Sequence, residues 1–102
     1  MKHGHGEWTQ NNGTQYIGNF KRDLFAGHGV ITWTDGETYV GNFKGGRING
    51  EGKYSWPDES SYTGEWLNNA YHGYGVLNHN DGIVMAGIWN QGEQSNVTKW
   101  LL

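Results

Sequence analysis

The chain has 102 residues, the size of one domain, and a formal net charge of −3, which argues against the general basic footprint that nucleic acid or an anionic membrane requires. With no cysteine, it holds neither a disulfide framework nor a thiolate metal site. Its 18 Gly, six Trp, six Tyr, three Phe and lone Pro57 argue against a conventional Leu/Ile core, and the many aromatics argue against disorder. The first residues, MKHGHGEWTQ, have no apolar core of a secretory signal, and no run nears the roughly 20 apolar residues of a membrane span. The expected location is therefore cytoplasmic, and the glycosylation sequons at Asn12 and Asn96 are discounted.

Along the chain the same pattern returns every 23 residues. Residues 3–15, HGHGEWTQNNGTQ, read as half a unit. Full units span 16–38, 39–61 and 62–84, and 85–102 reads as a degenerate last unit with a C-terminal cap. The columns are Tyr16, Tyr39, Tyr62, Met85; Gly18, Gly41, Gly64, Gly87; and Phe20, Phe43, Trp66, Trp89. A Gly-x-Gly follows in each unit, at Gly4/Gly6, Gly27/Gly29, Gly50/Gly52 and Gly73/Gly75. In the last unit Asn96 and Thr98 replace these glycines, while Trp100 and Leu102 hold the aromatic columns.

Each unit predicts two strands. Tyr39–Phe43 and Gly50–Trp56 alternate with the period of two of a half-buried strand. Asp35-Gly36 and Asp81-Gly82 are turn pairs, since Gly accepts positive φ and Asp bonds to the nearby backbone. Trp33 and Tyr39 share a face only if the loop between them has an odd length, centred on Asp35 or Gly36. Across the longer loop of residues 44–49, Tyr39 is set opposite Tyr54 and Phe43 opposite Gly50. The expected fold is all-β: a single-layer antiparallel meander of about four hairpins, elongated, twisted and curved.

The segments YIGNF…GHGVITWTDG, YVGNF…GEGKYSWPDE and YTGEW…GYGVLNHNDG carry a resemblance to the MORN repeat family. They follow its pattern of Tyr-x-Gly-x-aromatic, Gly-x-Gly and a turn near Asp-Gly, over residues 3 to 92. The resemblance implies a module that tethers, scaffolds or dimerises, peripheral to a membrane or the cytoskeleton.

One face of the expected sheet is aromatic. Strands spaced roughly 4.8 Å apart make it on the order of 800 Å², above the roughly 300–600 Å² that a monomer leaves bare. The sheet must curl over this face, pair with a second copy or bind a partner. Tyr16, Phe20, Trp33, Tyr39, Phe43, Tyr54, Trp56, Tyr62, Trp66 and Trp89 are the candidate partner-binding groove, because Tyr and Trp dominate binding hot spots. Phe25, Ile48 and Tyr71 share one position of the longer loop and read as a lid over this face or a rim for a partner.

Alternative chemistries are weaker. The Gly-x-Gly lacks the helix or Lys-Ser/Thr of a phosphate loop. His3, His5, His28, His72 and His79 lack a ligand pattern, and one Asp per turn (Asp35, Asp58, Asp81) is too sparse for calcium. No nucleophile–base pair stands out, so neither catalysis nor a cofactor is expected. Lys21, Arg22, Lys44 and Arg47 form a small basic cluster for a phospholipid head group, although anionic lipid usually wants four or more clustered bases. The aromatic platforms also suit carbohydrate or choline-type ligands. The expected partner is another protein or a second copy of this chain, with no nucleic acid.

Overall fold

Alternation of aromatic and polar residues builds the strands, and two kinds of tight turn fix how they meet. A computed structural model describes residues 3–90 and 93–94. Its strands are β1 (Gly4–Thr9), β2 (Gln15–Lys21), β3 (Leu24–Thr32), β4 (Thr38–Lys44), β5 (Arg47–Ser55), β6 (Ser61–Leu67), β7 (Ala70–Asn78), β8 (Val84–Asn90) and β9 (Glu93–Gln94). Each pairs antiparallel with the next in one sheet, in sequence order. Among the described residues there is no helix. This is the expected all-β meander, with principal extents of 45 × 24 × 15 Å. Glu93 and Gln94 start a strand on β8, and the expected cap at residues 95–102 lies outside the described residues.

The first turn is the odd loop, and it centres on Asp35. Trp33 N–H donates to Glu37 O at 2.9 Å, enclosing Thr34, Asp35 and Gly36. Gly36 takes a φ of 92°, and the Asp35 carboxylate accepts from Glu37 N–H at 3.0 Å. Asn12, Asp58 and Asp81 act likewise on Thr14, Ser60 and Ile83. Glu59 stands where the other turns have Gly and carries a φ of 75°, a conformation that costs a side-chain-bearing residue roughly 1–2 kcal/mol.

The second turn corrects the sequence reading. The longer loop is only two residues long, and the rest of it is strand. Arg22-Asp23, Gly45-Gly46 and Asn68-Asn69 all have positive φ at both positions, the type I′ geometry that matches strand twist. Phe25, Ile48 and Tyr71 are therefore strand residues, not loop residues. The register changes with them. Tyr39 does face Tyr54, but Phe43 faces Ile48, while Gly50 pairs with Trp66 on the next strand. The I′ turn sets the pairing at its end, so two surplus residues are taken up in a bulge, where Gly50 has a φ of 99°.

The other Gly of each Gly-x-Gly forms a row. Gly6, Gly18, Gly29, Gly41, Gly52, Gly64, Gly75 and Gly87 pair in succession across β1 to β8. A Cβ on Gly41 would lie 2.4 Å from the Gly52 Cα, and one on Gly52 would lie 2.2 Å from the Tyr39 hydroxyl. The sheet bends too sharply here to admit any side chain on its inner side except the tyrosine ring lying across it. This is the outcome in which the sheet curls over its own aromatics. Tyr16, Tyr39 and Tyr62 are wholly buried, packed with Phe20, Ile31, Phe43, Ile48, Trp66, Tyr71, Leu77, Met85 and Trp89.

Candidate binding surface

The ten candidate groove residues divide into two groups. Seven are buried: Tyr16, Phe20, Tyr39, Phe43, Tyr62, Trp66 and Trp89. Three are half-buried: Trp33, Tyr54 and Trp56. The first group corrects the sequence reading, because its rings fill the groove and present almost no surface to a partner.

The buried group is a series of boxes. Tyr62 meets Trp66 of its own strand edge-on at 5.1 Å, stacks with Tyr71 of the returning strand at 4.0 Å, and meets Trp89 of the next repeat edge-on at 5.4 Å. Tyr16 is boxed the same way by Phe20, Phe25 and Phe43. Phe25 and Tyr71 thus cover the tyrosines of their own hairpins. The phenols find backbone acceptors, Asn19 O at 2.7 Å, Asn42 O at 3.0 Å and Glu65 O at 3.2 Å. The Trp66 and Trp89 indoles donate to Gly52 O and Gly75 O. Burial raises the phenol pKa of Tyr16, Tyr39 and Tyr71, and that of Tyr62 to about 12.

The accessible group lies at the edge formed by the three-residue turns. Trp33 and Trp56 immediately precede two of these loops, and Tyr54 lies between them. Its ring stacks with Trp33 at 5.3 Å and leans on Trp56 at 4.8 Å. Tyr54 donates its phenol proton to the Glu37 carboxylate. Burial first, then this carboxylate, push the Tyr54 pKa upward. Successive turns touch along the edge, as Asn80 reaches back to Ser60 and Asp58. The edge carries Asp35, Glu37, Asp58, Glu59 and Asp81, while residues 10–15, 32–38, 55–61 and 78–84 contain no Lys or Arg. Hydrogen bonds from the Ser60 and Ile83 N–H groups hold the Asp58 and Asp81 pKa values below the ordinary range.

The opposite edge, made by the I′ turns, is basic at its first two turns, where Asp23 is the one acid beside four bases. Lys21, Arg22 and Lys44 line one cavity of 430 Å³ with Leu24, Ala26 and Phe43. Arg47 sits across the hairpin, paired with Lys44. Two residues of interest are absent from the sequence-derived set. Glu37 reaches the rim because it stands just past its turn in the column of the buried Thr14 and Ser60, within reach of the Tyr54 phenol. Trp8, 37% exposed, meets Phe25 edge-on at 5.5 Å and lines a 240 Å³ cavity at the β1 end of the sheet. Its place in the column Trp8, Ile31, Tyr54, Leu77 was the available signal. Among the described residues no three His, Asp or Glu side chains gather as a metal site.

Comparison with known proteins agrees with the repeat geometry. The MORN repeat model matches four consecutive segments, residues 1–15, 16–38, 39–61 and 62–84. No curated protein matches the chain.

Proposed function

The chain belongs to the MORN repeat family, and from that premise we propose that it is a non-catalytic scaffold module that holds a protein partner at the turn edge. The observation that carries this is the division of the aromatics. Most of them make the interior, and Trp33, Tyr54 and Trp56 remain half-buried on one continuous edge. A stacked Trp-Tyr-Trp strip is a rigid, amphipathic surface of the kind that supplies hot spots. An extended segment or a helix can run along it, parallel to the line of turns.

The experiment compares what the wild type and a Trp33→Ala/Trp56→Ala variant retain from a cell extract. The expected result is loss of a bound protein from this variant and its retention by Tyr74→Ala, which alters an exposed tyrosine on the outer face. Equal retention by all three, with both variants folded, would reject the rim.

The basic cavity supports a second reading, an anionic head group held by Lys21, Arg22 and Lys44 over the Phe43 and Leu24 side chains. Here binding to phosphatidylserine vesicles should exceed binding to phosphatidylcholine vesicles and fall steeply with salt. The same affinity for both vesicle types excludes it.

A further inference from the structure

We propose that the aromatic rim receives an arginine-bearing segment of the partner, with a guanidinium lying on an indole face and paired with a carboxylate of the same edge. The inference rests on the rim being the partner site and names the chemistry of what sits there.

Three observations converge. The first is the platform, in which Trp33, Tyr54 and Trp56 form one stacked strip that is only half covered. The negative faces of such rings attract a cation, and indole attracts it best. The second is the charge. The turns alongside carry Asp35, Glu37, Asp58, Glu59 and Asp81. The third is the missing counter-charge, since the turn segments contain no Lys or Arg, and among the described residues the one base against these carboxylates is His79, 3.1 Å from Asp81. A cation from outside therefore displaces no lysine or arginine from this edge.

The shape of the site favours arginine over lysine. A guanidinium is flat, stacks on aromatic faces and forks onto carboxylates, whereas an ammonium is a compact point charge that holds its water. The Lys and Arg of the described residues lie elsewhere, with Lys53 exposed within β5. Lys21, Arg22, Lys44 and Arg47 sit at or beside the I′ turns, so the two long edges of the sheet have opposite charge. A partner with a basic stretch is drawn to one edge and turned away from the other.

The test is a titration followed by indole N–H NMR signals, using six-residue peptides of alternating Gly-Arg, Gly-Gln and Gly-Glu. The Gly-Arg peptide should bind about tenfold more tightly than Gly-Gln at low salt, as two or three cation–aromatic and ionic contacts would give. It should move the Trp33 and Trp56 signals, and Gly-Glu should not bind. Trp56→Leu, which preserves an apolar side chain at the rim, should weaken Gly-Arg several-fold, and so should Glu59→Gln. If Gly-Gln binds as tightly as Gly-Arg and moves the same two signals, the arginine preference is wrong and the rim reading stands. If neither peptide moves those signals, both are wrong.

Discussion

Tyr39 and Tyr54 face each other across one hairpin, yet they have different roles. Tyr39 has no exposed surface, and its phenol donates to the Asn42 backbone carbonyl. Tyr54 is half-buried, and its phenol donates to a side chain, Glu37, at the sheet's edge. Tyr39 lies across the glycine row, over Gly52, whereas Tyr54 extends away from that row toward the turns. Position relative to the bend, and not residue type, decides which aromatic is core and which is available to bind.

The comparison is broken most severely by filling the space under Tyr39. Gly52→Ala puts a methyl 2.2 Å from the Tyr39 hydroxyl and 2.4 Å from its ring carbon. The expected loss of stability is about 3 kcal/mol, at the upper end for overpacking, read as the midpoint of denaturant unfolding. Trp56→Ala, at the rim, should cost no more than about 1.5 kcal/mol, since only part of its ring is buried. Equal losses for the two would mean that the rim is as structural as the interior.

Alkaline pH sharpens the contrast more gently. Burial raises the Tyr62 pKa from 10.0 to about 12. Between those values the unfolded chain has released the phenol proton and the folded chain retains it, so stability falls as pH rises from 10 to 12. Thermal unfolding at stepped pH, with tyrosinate absorbance followed in parallel, checks this. A constant midpoint across that window would contradict it. The smallest effect is expected at the turn edge, where Glu59→Gly relieves a positive φ of 75°. The net gain should be about 0.5–1 kcal/mol, because glycine also loosens the unfolded chain.

Much of the fold is readable from period alone. Columns such as Gly18, Gly41, Gly64 and Gly87 place one residue per strand in register, and Asp35-Gly36 marks its turn by chemistry. Two features escape for physical reasons. Gly45-Gly46 looks like an I′ turn, but its counterparts are Arg22-Asp23 and Asn68-Asn69, which obscure the column. The bulge at Gly50 adds two residues to one strand, which leaves the alternation in phase and makes it invisible to a parity argument. The candidate site was half legible. Trp33, Tyr54 and Trp56 were among its residues, but curvature decides burial, and neither the bend at the glycine row nor the position of Glu37 beside Tyr54 follows from alternation.

The most direct measurement follows the indole N–H signals of Trp33 and Trp56 beside those of Trp66 and Trp89, first in hydrogen exchange and then during titration with the Gly-Arg peptide. Trp66 and Trp89 donate to Gly52 O and Gly75 O inside the sheet, at 3.2 and 3.1 Å. They should exchange slowly and stay in place while Trp33 and Trp56 exchange quickly and shift. Movement of Trp66 and Trp89 ahead of the rim pair would show that a partner enters the tyrosine groove and that the interior is the binding site.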